Sequence, residues 1–255
     1  MTAAPFHSIL ITGATSGLGA ALAEYMAAPG ITLALTGRDG ARLEKVAERC
    51  RLRGATIRAA LVDVADRDAM RETLLPWDDA LPFDLIVANA GVSAGTGGFG
   101  ETEEQLRHIT AVNVAGVINT VAPLLPRLLE RKKGQIGLVA SLAGFRGLPG
   151  APAYSASKAW VKVYGEGLRG TVAPHGIGVS TICPGFVETP MTAVNRFPMP
   201  FLMNAERAAS IMARGLIRNK GRIAFPLPML AAVWLLSTLP DGLVDWLTRK
   251  LPAKG

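Results

Sequence analysis

The stretch Thr12-Gly13-Ala14-Thr15-Ser16-Gly17-Leu18-Gly19 decides the fold. It follows the short apolar run Ser8–Thr12 (SILIT) and opens a segment, Gly17–Ala28, whose Leu18, Ala21, Leu22 and Tyr25 fall on one helical stripe. Strand, glycine turn and helix in that order is where a dinucleotide fold places its phosphate turn. Gly13 permits the tight turn, Gly17 lets backbone approach a pyrophosphate, and Gly19 lets the helix pack near the sheet. Free N–H groups and the positive helix end then face the phosphates. A glycine-rich turn with no ligand is the plainer reading, and its position between the first strand and first helix counts against that. The spacing is G-x-x-x-G-x-G rather than G-x-G-x-x-G.

Outward from that turn, apolar runs alternate with helical patterns. Strands are predicted at Ile31–Thr36, Thr56–Val62, Asp84–Ala88, Gln135–Ala140, Gly178–Ile182 and Ile223–Phe225. Helices are predicted at Ala41–Arg53, Asp66–Trp77, Glu103–Leu129, Tyr154–Val172 and Ala205–Arg218, with a break expected near Pro123 and Pro126. Such alternation predicts an α/β fold: a doubly wound, Rossmann-like parallel sheet with helices on both faces. With no repeat and no linker, the reading is one domain over residues 1–255, ending in a hydrophobic helical extension from about residue 227.

Composition bounds the function. The chain is 49% hydrophobic, enough for a sizeable core, and its 27 basic against 20 acidic residues give a formal +7. That balance favours anionic partners. No basic cluster interleaves with aromatics, so nucleic-acid binding is not expected. Cys50 and Cys183 stand far apart without partners, which excludes a disulfide scaffold and a structural zinc site; both read as buried small hydrophobes. His7, His108 and His175 are scattered, and no metal site is expected. No signal peptide is visible at the N-terminus, and a cytoplasmic enzyme is the default expectation.

A second constellation carries chemistry. Tyr154-Ser155-Ala156-Ser157-Lys158 opens a predicted helix, and residues four apart share a face. A phenol with pKa of about 10 is a poor base at neutral pH. A cation at about 4 Å, at an effective dielectric near 20, favours the phenolate by roughly 4 kcal/mol. Such a tyrosine can exchange a proton with a carbonyl or alcohol oxygen near neutrality. Ser141 ends a strand at the carboxyl edge, where α/β sheets bind ligands, and its hydroxyl can steady a substrate oxygen. Asn113 lies inside a helical stretch.

Together, the glycine turn and the order Asn113, Ser141, Tyr154, Lys158 resemble the short-chain dehydrogenase/reductase family of the roughly 250-residue type. The resemblance spans residues 8 to about 190. It implies Tyr154 as acid/base, Ser141 as carbonyl orienter, Lys158 on the nicotinamide ribose and lowering the Tyr154 pKa, and Asn113 holding a relay water. It implies cofactor contacts from Gly13, Thr15, Ser16, Gly17, Leu18 and Gly19 in the turn, and from Asp63 and Val64 beside the adenine. Asn89-Ala90-Gly91 matches a segment that lies along the cofactor. Pro184-Gly185-Phe186-Val187-Glu188-Thr189 resembles the family's PG loop, with Pro184, Gly185, Val187 and Thr189 reaching the cofactor. It also implies a homodimer or homotetramer.

Two features bear on cofactor and substrate. The second strand ends Thr36-Gly37-Arg38-Asp39: the position that is acidic in members preferring NAD is Gly37, and the Arg38 guanidinium can pair with a 2′-phosphate. NADP(H) is therefore favoured, with NAD(H) the alternative; Arg38 could instead pair with Asp39 or cap the next helix. Phe186, Met191, Phe197, Met199, Phe201, Leu202 and Met203 suggest an apolar carbonyl substrate, or ordinary packing of a long loop.

The tail stays open among three readings. Ile223–Pro240 carries no charge, but Pro226 and Pro228 leave roughly 11 helical residues, about 16 Å, too short to cross a bilayer. Asp241–Lys250 is amphipathic. Core extension or oligomer interface, peripheral membrane contact, and a lid over an apolar substrate are the alternatives. The expected activity is NADP(H)-dependent interconversion of a small-molecule carbonyl and alcohol. The alternatives are a membrane-associated ketoacyl or acyl reductase and a non-catalytic dinucleotide-binding regulator.

Overall fold

Alternate residues of the central strands feed two separate cores, and this builds the layers. Ile9, Ile11, Leu33, Leu35, Leu85 and Val87 enter one core; Leu10, Ala34, Ile86 and Ala88 enter the other. A strand that is apolar on both faces must be covered on both faces. The computed structural model describes residues 6–93, 101–147, 149–195 and 197–248.

In chain order the elements are β1 (Ser8–Ile11), α1 (Gly17–Met26), β2 (Thr32–Gly37), α2 (Gly40–Leu52), β3 (Thr56–Leu61), α3 (Arg67–Ala80) and β4 (Leu85–Ala88). There follow α4 (Glu103–Thr110), α5 (Gly116–Val121), α6 (Leu125–Arg131), β5 (Gly134–Val139), α7 (Pro152–Val172) and β6 (Ile177–Pro184). The chain continues through α8 (Pro190–Ala193), α9 (Ala205–Ile217), β7 (Arg222–Phe225), α10 (Leu227–Thr238) and α11 (Asp241–Thr248). The sheet order is β3-β2-β1-β4-β5-β6-β7, and every neighbouring pair is parallel. The order reverses between β1 and β4, and a crevice for ligands opens beyond the carboxyl ends at such a switch point.

Helices α1, α2 and α9 cover one face, and α3, α5, α6 and α7 the other. A buried acid ties the second layer: Asp78 on α3 accepts from Arg131 at 2.6 Å and from the Phe83 N–H at 2.9 Å. The two thiols are buried and free, and burial pushes Cys50 up to about 11 and Cys183 to about 12. Both behave as small apolar groups.

The long helix predicted over Glu103–Leu129 is three segments. Pro126 starts α6 after a turn, as the prolines require. A second departure, a π-helical turn at Ala111–Ala115, separates α4 from α5 and surrounds Asn113. The sequence pattern carries no sign of it. Within α3, Pro76 sits inside the helix, which extends past the predicted Trp77 to Ala80.

Candidate active site

The carboxyl ends of the strands frame one cleft of about 390 Å³. Its floor is the glycine turn. Gly13 has φ +66°, and a Cβ there would meet the Ala90 backbone at 2.7 Å. Gly17 has φ +57°, and a Cβ would press on the Thr189 methyl at 3.1 Å. Both positions require glycine for conformation and for space. Asn89 clamps the turn by donating to the carbonyls of Thr12 (2.9 Å) and Gly13 (3.2 Å). In return, the Thr12 hydroxyl accepts from the N–H groups of Asn89 and Ala90 at 3.1 and 3.2 Å.

At the head of α1 the Ser16 side chain makes no capping bond, and no acid stands in the first turn. The first-turn N–H groups, lacking intrahelical partners by geometry, are the donors an anion would meet. Together with the two glycines this fits a dinucleotide pyrophosphate.

Thr15, Ser16, Leu18, Asp63, Val64, Ala90, Gly91, Pro184, Gly185, Val187 and Thr189 line the same cleft. Gly19 does not. A Cβ there would meet Asn89 Nδ2 and the Gly13 carbonyl at 2.4 Å, so its smallness serves helix packing behind the turn.

At the second strand's end, Arg38 reaches Asp63 at 3.4 Å, while Asp39 caps α2 and pairs with Arg42 at 3.1 Å. Neither plainer expectation for Arg38 describes it. Arg42 lines the cleft beside Arg38, a second guanidinium that the sequence reading passed over. Its signal was available: it is the second residue of the helix predicted to follow Arg38.

The other wall carries Ser141, Tyr154 and Lys158. Lys158 is only 4% exposed; its ammonium donates to the Val139 carbonyl at 2.9 Å and lies 5.9 Å from the Tyr154 ring centroid. Burial brings Lys158 down to about 8. Burial also raises Tyr154, and a side-chain hydrogen bond with Ser141 works against that rise. The Tyr154/Lys158 spacing pointed to Lys158 as a group that lowers the tyrosine's pKa. In the structure the Ser141 hydroxyl is a further group that favours the phenolate, and the Lys158 ammonium is held by a carbonyl. Ser141 itself accepts from the Ala143 N–H at 3.1 Å and donates to the Pro184 carbonyl at 3.4 Å.

Asn113 is fully buried and is not part of the cleft lining. Its Oδ1 accepts from the Val92 N–H at 2.8 Å, and its Nδ2 donates to the Val92 carbonyl and Ser157 Oγ, each at 2.9 Å. The side chain fastens the cleft wall to α7.

Glu101 was missed altogether. Its carboxylate accepts from the N–H groups of Ala153 (2.5 Å) and Tyr154 (3.2 Å), capping the helix that bears the tyrosine. No local pattern links residues so far apart in the chain.

Of the apolar residues after β6, Met191 lines the cleft and Met203 packs on the first core. Phe186 and Phe197 meet edge to face, and Phe201 and Leu202 are exposed.

A family model described as short chain dehydrogenase matches residues 7–198. The chain belongs to the short-chain dehydrogenase family. It is an oxidoreductase. It is 38% identical over 247 residues to an uncharacterized oxidoreductase of Myxococcus xanthus, covering 96% of this chain and 98% of the relative. A solved short-chain dehydrogenase from Sphingobium yanoikuyae, in complex with NADPH, superposes with a TM-score of 0.81 at 26% identity, covering 96% of each chain. Another, from Mycobacterium paratuberculosis and bound to NAD, gives 0.76 at 28%, covering 86% of this chain and 94% of the other.

Proposed function

We propose that this dehydrogenase uses NADP(H) to interconvert an apolar carbonyl compound and its secondary or primary alcohol, with Tyr154 as acid and base. The observation that supports it most is the shared cleft: the glycine turn at one end, Ser141, Tyr154 and Lys158 at the other. When bound, the nicotinamide supplies or accepts the hydride. Tyr154 gives its phenolic proton to the carbonyl oxygen during reduction and recovers it during oxidation. Ser141, already hydrogen-bonded to Tyr154, orients that oxygen. Lys158 holds the ribose from its buried position, and the α1 N-terminus receives the pyrophosphate.

Arg38 and Arg42 support NADP(H) over NAD(H), since two guanidinium groups flank the place for a 2′-phosphate. The test is oxidation of NADPH and NADH with a panel of ketones, aldehydes and ketoacyl thioesters, long chains included. The expected result is a lower KM for NADPH. Arg38→Ala with Arg42→Ala should raise that KM by at least about ten-fold, the loss of one charged hydrogen bond or more, and leave NADH unchanged. A lower KM for NADH overturns the assignment, and no turnover across the panel favours the non-catalytic regulator.

The exposed outer faces of α10 and α11 favour an external partner for the tail over a core role. The reading is a cytoplasmic protein with peripheral membrane contact, which also suits a lipid-pathway reductase of ketoacyl or acyl substrates. Assembly as a homodimer or homotetramer belongs to the same reading. Leu106, Ile118 and Val163, exposed on α4, α5 and α7, offer a face for it on helices other than the C-terminal pair.

A further inference from the structure

A second groove, of about 520 Å³, lies between α9, β7 and α10, away from the catalytic wall. Arg214, Arg218, Lys220 and Arg222 line it, and among the described residues no acidic one does. Arg222 is drawn to Glu166 at 2.5 Å, whereas Arg214, Arg218 and Lys220 form no ion pair among the described residues. The groove's remaining rim is apolar, with Leu227 and Leu230 from α10.

Helix α10 continues that rim outward. Met229, Leu230 and Val233 pack on the second core. Leu227, Ala231, Trp234 and Leu235, at spacings of four, seven and eight, form the opposite stripe and are exposed. Trp234 is 58% exposed and Leu227 72%. On α11, Val244 and Thr248 face inward, and Leu243, Trp246 and Leu247 face solvent. The outer stripe of α10 is apolar, and α11 adds exposed Leu243, Trp246 and Leu247 beside the acids Asp241 and Asp245. Exposed apolar side chains that include two tryptophans mark an interaction surface.

Charge chooses the occupant. A two-fold copy would place the same patch against itself, bringing three unpaired cations toward three more. An anionic surface meets the cations and the apolar stripe at once. Arg249, Lys250 and Lys254 follow α11 in the sequence and add to the sign. Twelve helical residues reach about 18 Å, short of a bilayer's hydrocarbon core, so α10 can lie on a membrane but not cross it.

We propose that the groove seats the phosphate groups of anionic lipids while the outer faces of α10 and α11 enter the acyl boundary. This docks the protein on an anionic bilayer. It rests on the peripheral-contact reading above and names the headgroup chemistry and the residues that bind it. The docked helix adjoins the catalytic loops: a Cβ on Gly185 would meet Met229 Sδ at 2.8 Å. An apolar substrate dissolved in the membrane would therefore lie near the cleft.

The test is co-sedimentation of the full chain with phosphatidylcholine vesicles, with and without phosphatidylglycerol, at low and high salt. Binding should need the anionic lipid and weaken with salt. Arg214→Gln, Arg218→Gln and Lys220→Gln together should weaken it by about 100-fold, at roughly five-fold per cation. Trp234→Ser with Trp246→Ser should weaken it at both salt levels. Turnover of a soluble ketone should be unchanged in all these variants. Docking without turnover in the wild type would overturn the catalytic reading and leave this one standing. Turnover without docking does the reverse. Equal binding to neutral vesicles, or full binding by the triple-glutamine variant, overturns the headgroup site. An oligomer that dissociates when Trp234 and Trp246 are replaced, with no vesicle binding, assigns the face to a second copy and overturns the proposal.

Discussion

Helices α7 and α10 both carry a proline in the first turn and both adjoin the cleft, yet they break the usual burial rule in opposite directions. Helix α7 buries polar groups: Ser155, Ser157 and Lys158 are hidden beside Val161 and Leu168. Helix α10, almost wholly apolar in sequence, has no buried residue. Buried polar groups and exposed apolar ones are the informative cases. On α7 the cost of burial is met by partners, the Val139 carbonyl for Lys158 and Asn113 for Ser157. On α10 the outer stripe meets no partner within this chain's described residues, so its partner is sought outside.

The comparison is most exposed at Tyr154. Tyr154→Phe should lower kcat by about 10³, within the range for loss of a positioned acid. NADPH binding, followed by fluorescence titration, should persist. An unchanged kcat would reduce α7 to a structural helix.

Lys158 gives the next largest effect, through pH. Its ammonium is present below about 8 and lost above. NADPH affinity should fall as pH rises through that value, and Lys158→Met should remove the dependence. The same group couples folding to pH. Between about 8 and the ordinary 10.5 the unfolded chain binds more protons than the folded one. Denaturant unfolding should therefore show wild-type stability rising with pH across that window relative to Lys158→Met.

Glu101→Ala tests what holds the start of α7. Loss of the cap should cost about 1 kcal/mol, or a Tm lower by about 2–4 °C for a chain of this size. A positioning role further requires kcat to fall with NADPH affinity unchanged, and Glu101→Gln, which keeps an acceptor, to recover part of the loss.

The smallest effect belongs to α10. Trp234→Ser should change stability by less than about 0.5 kcal/mol in thermal melts, as for a surface side chain. A loss of several kcal/mol would mean that α10 is packed in solution and that the contrast with α7 does not hold.

Much was legible in the chain itself, because some physics is local. The turn at Gly13–Gly19, the strand–helix alternation and the Tyr154/Lys158 spacing depend on backbone conformation and on residues a few positions apart. Periodicity placed strands and helices to within a few residues, with β6 running from Ile177 to Pro184 rather than Gly178 to Ile182. The tertiary structure decided what depends on distant residues. It turned Lys158 toward Val139, closed the Asn113 amide onto Val92 and Ser157, brought Glu101 to the head of α7, and set Arg42 beside Arg38. It also assembled the four-cation groove from α9 and β7. Hydrogen bonds and burial are satisfied between segments that meet only once the sheet has formed, so no window of sequence contains them.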